Sequence, residues 1–161
     1  MKKGKSIKAL ALAAMVAALY IAATGLFAPI SFGGIQVRVS EALCALALFS
    51  PWMVPGLTVG CLLSNLFWSP FGILDITLGT LATFLGALGV AIFAKKNRVL
   101  ALCMPVITNA LLVPIVLSIF AEQAYWLGLI YVGVGQAIAC VGLGYPLAKA
   151  LDKVKFLNEG M

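Results

Sequence analysis

Residues 41–68 read EALCALALFSPWMVPGLTVGCLLSNLFW, and how many elements they form decides how often the chain crosses a membrane. As one piece they are a single long apolar helix. Broken at Ser50-Pro51 or at Pro55-Gly56, they are two short ones. Proline removes a backbone donor and drives the residue before it out of the helical region, so two prolines four apart favour the break.

On either side lie longer apolar runs, at 7–27, 75–94, 99–119 and 125–148. Each holds about 20 residues or slightly more, enough for about 30 Å of hydrocarbon. The first, behind Lys2, Lys3, Lys5 and Lys8, has the basic start of a signal peptide, but its apolar run is of spanning length. It reads as a retained first span.

Charge placement chooses between the two models. With a break there are six segments, 7–27, 41–50, 53–69, 75–94, 99–119 and 125–148. Both termini then share a side with ten of the 11 Lys+Arg residues, and only Arg38 lies opposite. Without the break the split is four against seven. Positive charge collects on the cytoplasmic face. The expectation is therefore an all-α integral membrane protein in the cell membrane: a multi-pass bundle of six transmembrane helices, N- and C-termini cytoplasmic. The short pair either spans fully or dips in and returns. No repeat or linker divides the chain, so 1–161 reads as one membrane domain.

Composition agrees. Of 161 residues 63% are hydrophobic and 10% charged, against about half and a quarter in soluble domains. Mean hydropathy is +1.13. The net charge of +6 sits in small clusters between apolar runs, not in the stripe of a nucleic-acid binder, so no nucleic acid is expected. There is no histidine, and Cys44, Cys61, Cys103 and Cys140 are far apart in apolar runs. They read as small packing residues, with no metal and no cofactor implied. Neither a phosphate-binding loop nor a string of intramembrane acids is present, so an ATP-driven cycle needs other subunits.

In the six-helix model Arg38, Glu41, Asp75 and Glu122 fall at or near the outer surface, and Asn65, Asn109 and Gln136 at matching depths. Buried polar groups in hydrocarbon face the bundle interior and pair, or line a cavity. A pocket open to the outside accounts for their common depth, with Trp68, Phe71, Tyr125, Trp126 and Tyr131 nearby. Each residue has a plainer role as well. Arg38 and Glu41 suit an ion pair on one turn, Asp75 a helix cap, Glu122 a solvated loop, and the amides helix–helix hydrogen bonds. Small residues recur every fourth position at Ala9, Ala13 and Ala17, at Ala14, Ala18 and Ala22, and at Gly56, Gly60 and Ser64. Such stripes let backbones approach closely. Two adjacent strips on the first helix exceed what one internal neighbour needs and suit docking of a second membrane protein.

Several segments resemble, in order, the queuosine-precursor transporter (QueT-like) family of energy-coupling-factor S components. They are QVRVSEAL at 36–43, Pro55-Gly56 through GCLLSNL at 60–66, DITLGTLAT at 75–83, PVITN at 105–109, and VGQ at 134–136 followed by GYPL at 144–147. The resemblance implies a binder of a deazaguanine that works with a transmembrane coupling subunit and two cytoplasmic ATPases, toppling in the bilayer to deliver its ligand. It implies docking of the coupling subunit on Ala9, Ala13 and Ala17. It departs at Gln136, where the family pattern often has Glu.

A guanine-like edge offers two parallel donors that a carboxylate, Glu41 or Asp75, accepts. Asn65, Asn109 or Gln136 would donate to the ring oxygen, and an aromatic such as Trp68 or Trp126 would stack. Arg38, Glu41, Asn65, Asp75, Asn109, Gln136, Trp68 and Trp126 are therefore the expected substrate-binding residues, with no catalytic or metal residues. An S component for another vitamin (riboflavin or a thiamine precursor) and a non-transporting assembly protein are the alternatives; an enzyme is not expected.

Overall fold

The computed structural model describes residues 3–153, with side chains from Ile7 onward. Lys2 and Lys155, which the charge count uses, lie outside the described residues, as do the side chains of Lys3 and Lys5.

Apart from connecting segments the described residues are helical. Helix α1 (Lys3–Leu26) ends in a one-turn helix, Ala28–Ser31. A 3₁₀ helix, Val39–Leu48, follows, and then α2 (Met53–Trp68). Helices α3 (Gly72–Phe93), α4 (Arg98–Phe120) and α5 (Tyr125–Leu151) complete the bundle. Four helices are long and apolar enough to span a membrane: α1 over Ile7–Leu26, α3, α4 and α5. The other two are short. Ten residues of 3₁₀ helix extend about 20 Å, and 16 of α-helix about 24 Å.

The break in 41–68 falls at Ser50-Pro51. Pro55 sits in the first turn of α2, where a missing N–H costs nothing, and the helix runs through it. Upstream, residues 39–48 wind as 3₁₀ rather than α. Residues three apart eclipse in that geometry. Glu41, Cys44 and Ala47 form one buried row, Ala42 and Ala45 another, while Leu43 and Leu46 are only half-buried. Small side chains on two of three faces let this slender element run through the middle, touching all five helices.

Close contacts fix the directions. Cβ atoms added to Gly56 and Gly60 would strike Ala13 and Tyr20, and one on Gly25 would lie 2.7 Å from the Trp68 ring, so α1 and α2 are parallel in constant register. Glu41 meets Tyr20 and Ser40 meets Thr24, so the 3₁₀ helix runs antiparallel to α1. Asn65 meets Asp75, Thr108 meets Ala82, and Tyr125 meets Leu111, so the pairs α2/α3, α3/α4 and α4/α5 are antiparallel. The six elements alternate in direction. One end of the bundle carries 27–38, 69–71 and 121–124; the other carries the starts of α1, α2 and α4 and the end of α5.

At that second end Asn97 caps α4, its side-chain oxygen accepting from the N–H groups of Val99 and Leu100. Arg98 donates to both Asp152 oxygens, at 2.6 and 2.8 Å, joining α4 to the residue after α5. These bonds hold the exposed Asp152 carboxyl below the usual range. The core here is apolar: Val16, Leu57, Met53, Val90 and Ala101 in one cluster, Ala45, Leu102 and Ala148 in another.

Candidate functional site

The half nearer 27–38 is built differently. Glu41, fully buried at the start of the 3₁₀ helix, accepts from the Tyr20 hydroxyl of α1 and the Thr83 hydroxyl of α3, both at 2.5 Å on Oε1. Its Oε2 takes the Cys44 thiol at 3.2 Å. The 3₁₀ geometry puts Cys44 directly below Glu41, which is why that thiol reaches. Beside them Thr24 donates to Ser40 at 2.7 Å.

Arg38, just before the 3₁₀ helix, is buried and enters the same region. Its Nη2 donates to Asn65 Oδ1 at 2.8 Å and lies 3.8 Å from Asp75 Oδ2. Its Nη1 lies 3.5 Å from the Cys61 sulfur, and its plane sits 4.9 Å from the Phe32 ring centroid. Asn65 in turn donates to the Asp75 backbone carbonyl at 3.0 Å. Asp75 Oδ2 accepts from Ser69 at 2.5 Å. Asp75 opens a π turn, Asp75–Gly79, and a Cβ on Gly79 would lie 2.8 Å from Asp75 Oδ1 and 2.9 Å from Asn65 Nδ2. Only glycine lets both groups sit there. A second π turn, Ala137–Leu143, begins directly after Gln136, which accepts from the Cys140 thiol at 3.4 Å. Single π turns inside α-helices are frequent at functional sites.

The segment 32–38 closes over this region. Gln36 adopts φ +51°, the left-handed region that glycine favours, and is nonetheless buried. Its backbone presses on Gly135 of α5, where a Cβ would collide with the Ile35 carbonyl. A strained non-glycine conformation held by packing is a feature of ligand-binding sites.

Several buried polar atoms here have no hydrogen-bond partner: Gln36 Nε2, Arg38 Nε, Asp75 Oδ1 and Asn109 Oδ1 among them. Each such orphan costs about 1–3 kcal/mol. The Asn109 amide nitrogen, by contrast, is held by the Pro105 carbonyl at 2.9 Å. Gln36 Nε2 and Arg38 Nε are donors, and Asp75 Oδ1 and Asn109 Oδ1 acceptors, without a partner within the protein. Among the described residues no group of three or more His, Cys, Asp or Glu is placed to hold a metal.

The structure brings together Arg38, Asn65 and Asp75 in one network, with Glu41 in an adjoining one linked through Cys61 and Thr83. Gln136 reaches the same neighbourhood through Cys140, whose sulfur lies 3.8 Å from the Glu41 carbonyl. Arg38 takes Asp75, not Glu41, as its ion-pair partner, and both lie within the bundle rather than at its surface. Asp75 is inside α3 and caps nothing. Glu122 is an exposed loop residue with φ +52°.

The tryptophans stand apart. Trp126 is 74% exposed beside Tyr125, on the outside of α5, as in an aromatic belt at the membrane interface. Trp68 packs on Gly25 at the end of α1 and is partly exposed. Sequence reasoning missed Tyr20, Thr24, Gln36 and Thr83. Tyr20 lies three residues after Ala17 and Thr24 four after Tyr20, so both fall on the same helix face as Ala9, Ala13 and Ala17, and that helical spacing is their signal.

The stripe itself faces inward in part. Ala9 and Ala17 are buried, Ala13 is half-buried against Gly56, and Ala14, Ala18 and Ala22 are exposed. Ala13, Ala14 and Ala17 line one wall of an outward-opening apolar groove of about 230 Å³, with Pro55, Gly56 and Val59 opposite.

The QueT transporter family model matches residues 10–153. The Queuosine precursor transporter QueT of Lactococcus lactis subsp. cremoris (strain MG1363) is 41% identical over 99 residues, 59% of this chain and 56% of that protein. The chain thus spans little more than half the length of that curated relative. No solved structure matches. With four long apolar helices around a buried polar network, and a family match over nearly its whole length, the chain is a multi-pass membrane protein belonging to the QueT transporter family, whose members are transporters and not enzymes.

Proposed function

We propose that this chain is the substrate-capture (S) subunit of an energy-coupling-factor importer for a queuosine precursor, a 7-deazaguanine such as aminomethyl-deazaguanine or queuine. It crosses the membrane six times with both termini cytoplasmic, and its ligand enters from the outside under 32–38. Lys8, Lys95, Lys96, Arg98, Lys149 and Lys153 all sit at the end of the bundle opposite Arg38, which supports that orientation. A transmembrane coupling subunit docks on α1, along the groove of Ala13, Ala14 and Ala17 and near Ala9, and two ATPases drive release inward.

The observation that carries the reading is the set of unpaired buried atoms in a member of this family. Asp75 Oδ1 and Asn109 Oδ1 accept from the ring N–H and exocyclic amine of the base; Arg38 Nε and Gln36 Nε2 donate to its oxygen. Asn65 and Glu41 position Arg38 and the 3₁₀ helix, and Gln136 lines the α5 side. Such a site rejects ligands lacking these groups, because its own would stay unpaired.

Calorimetric titration of the detergent-purified protein tests this. Aminomethyl-deazaguanine binds saturably near one to one, while riboflavin and guanine give no comparable heat. Riboflavin binding in place of the deazaguanine would move the chain to another vitamin. No binding by demonstrably folded protein would favour an assembly role.

A further inference from the structure

Cys61 of α2 is fully buried where the two polar networks meet, and the proposed function gives it no role. Its sulfur lies 3.5 Å from Arg38 Nη1, 3.6 Å from Asn65 Nδ2, 3.2 Å from Thr83 Oγ1 and 3.7 Å from the Gly79 carbonyl. Counting hydrogens gives these contacts a direction. Thr83 has one hydroxyl hydrogen, and Glu41 Oε1 at 2.5 Å takes it. Along the 3.2 Å contact, therefore, the thiol donates and the Thr83 oxygen accepts. Asn65 gives one amide hydrogen to the Asp75 carbonyl and turns the other toward the sulfur. Arg38 Nη1 can only donate. The chain of bonds runs one way: guanidinium and amide to sulfur, thiol to Thr83, hydroxyl to Glu41.

The Arg38 end of this chain is incomplete. Nη2 is held by Asn65 and Asp75 and Nη1 by the sulfur, while Nε is buried with no partner. A guanidinium is a rigid plane, so fixing two of its nitrogens aims the third. We propose that Cys61 is a positioning residue for substrate recognition. Its thiol, accepting from Arg38 and tied through Thr83 to Glu41, sets the direction of Arg38 Nε and with it the preference for a ligand oxygen. The inference rests on the proposed function, in which that nitrogen donates to the oxygen of the base, and adds a residue that acts through Arg38. Sulfur suits the place by its size. Bonds to a serine oxygen span about 2.7–3.2 Å, short of the contacts at 3.5 and 3.6 Å, so serine keeps a donor but loosens Arg38. Alanine removes donor and acceptor together. Cys61 also packs in the apolar cluster on its other side, but a packing role alone would affect every ligand equally.

The test measures calorimetric binding of two ligands to the full chain in detergent. One is aminomethyl-deazaguanine; the other is its thiocarbonyl analogue, which keeps the ring N–H and exocyclic amine but replaces the oxygen with sulfur, a poorer acceptor. A hydrogen bond from a charged donor predicts about tenfold tighter binding of the oxygen ligand by wild type. In Cys61→Ala the oxygen ligand should weaken about tenfold and the sulfur ligand no more than about threefold, so the preference falls toward unity. Cys61→Ser should lie between; it keeps a hydroxyl and nearly the volume, and carries the test alone if Cys61→Ala does not fold. Equal weakening of both ligands, or of neither, would overturn the role of Cys61. Equal affinities in wild type, a comparison that needs no variant, would overturn it as well and leave the deazaguanine reading standing. Binding of neither ligand by folded wild type would overturn both.

Discussion

The two halves of the bundle use the same helices to opposite ends. Toward the loops 94–97 and 49–52, α1, α2 and α3 meet through Val16, Leu57, Met53 and Val90, and Ser50 is the buried polar residue there. Toward 27–38, the same three helices present Tyr20, Thr24, Asn65, Asp75 and Thr83. In the apolar half small and branched side chains fill the space, and among the described residues no buried side-chain N or O atom there lacks a partner. In the polar half every element contributes a hydrogen-bonding group, and several remain unmatched. Unmatched buried atoms are what a site needs for a polar ligand, and the proposed function rests on them. The 3₁₀ helix joins the halves, with Glu41 at one end and Ala47 at the other.

Four substitutions sharpen that contrast. The largest effect belongs to Arg38→Met, which leaves Asp75 without a cation. Breaking a buried pair from one side costs about 3–5 kcal/mol, so this variant should lose most folded protein by size exclusion in detergent and recover in Asp75→Asn/Arg38→Met. Gly56→Ala comes next, because its methyl meets the Ala13 backbone with no side chain to yield. About 1–3 kcal/mol of overpacking lowers the unfolding temperature, yet the folded fraction should bind ligand with unchanged Kd, since the crossing lies in the apolar half.

Tyr20→Phe removes one of two hydroxyls on Glu41 Oε1, at about 1–2 kcal/mol, and should weaken ligand binding as well as stability. A thermal shift without a change in Kd would separate Glu41 from the site. Asp152→Asn is the smallest. The Arg98 bonds lower the Asp152 carboxyl, so their stabilisation is present above the ordinary carboxylate range and disappears as pH falls through the lowered value. The melting difference between wild type and Asp152→Asn should therefore be slight near neutral pH and vanish in acid, with ligand affinity untouched.

Much of this is legible in the sequence, for identifiable reasons. Long apolar runs announce the four long helices because hydrocarbon leaves no other way to satisfy a backbone. Pro51 announces the break, and the small-residue stripes announce the α1/α2 contact, where Ala13 and Ala17 meet Gly56 and Gly60. What the sequence hides is depth. Arg38 looks like a surface charge because it precedes a helix in a polar loop. It is buried because 32–38 folds inward, a step that depends on Gly135 of α5, about a hundred residues away. Residues 39–48 look like an ordinary α-helix. Only the demand that one slim element touch all the others selects 3₁₀, and with it the stacking of Cys44 on Glu41. Trp126 carries the aromatic chemistry of a stacking residue but is exposed on the outside of α5, which its spacing alone does not reveal.

The claim that the polar half is the binding site is tested most directly by amide hydrogen exchange on detergent-solubilised protein, with and without saturating aminomethyl-deazaguanine. The account predicts slower exchange in 31–41 and 69–80 on binding, with 49–57 and 94–102 unchanged. Protection confined to the second pair of segments, despite measured binding, would contradict it.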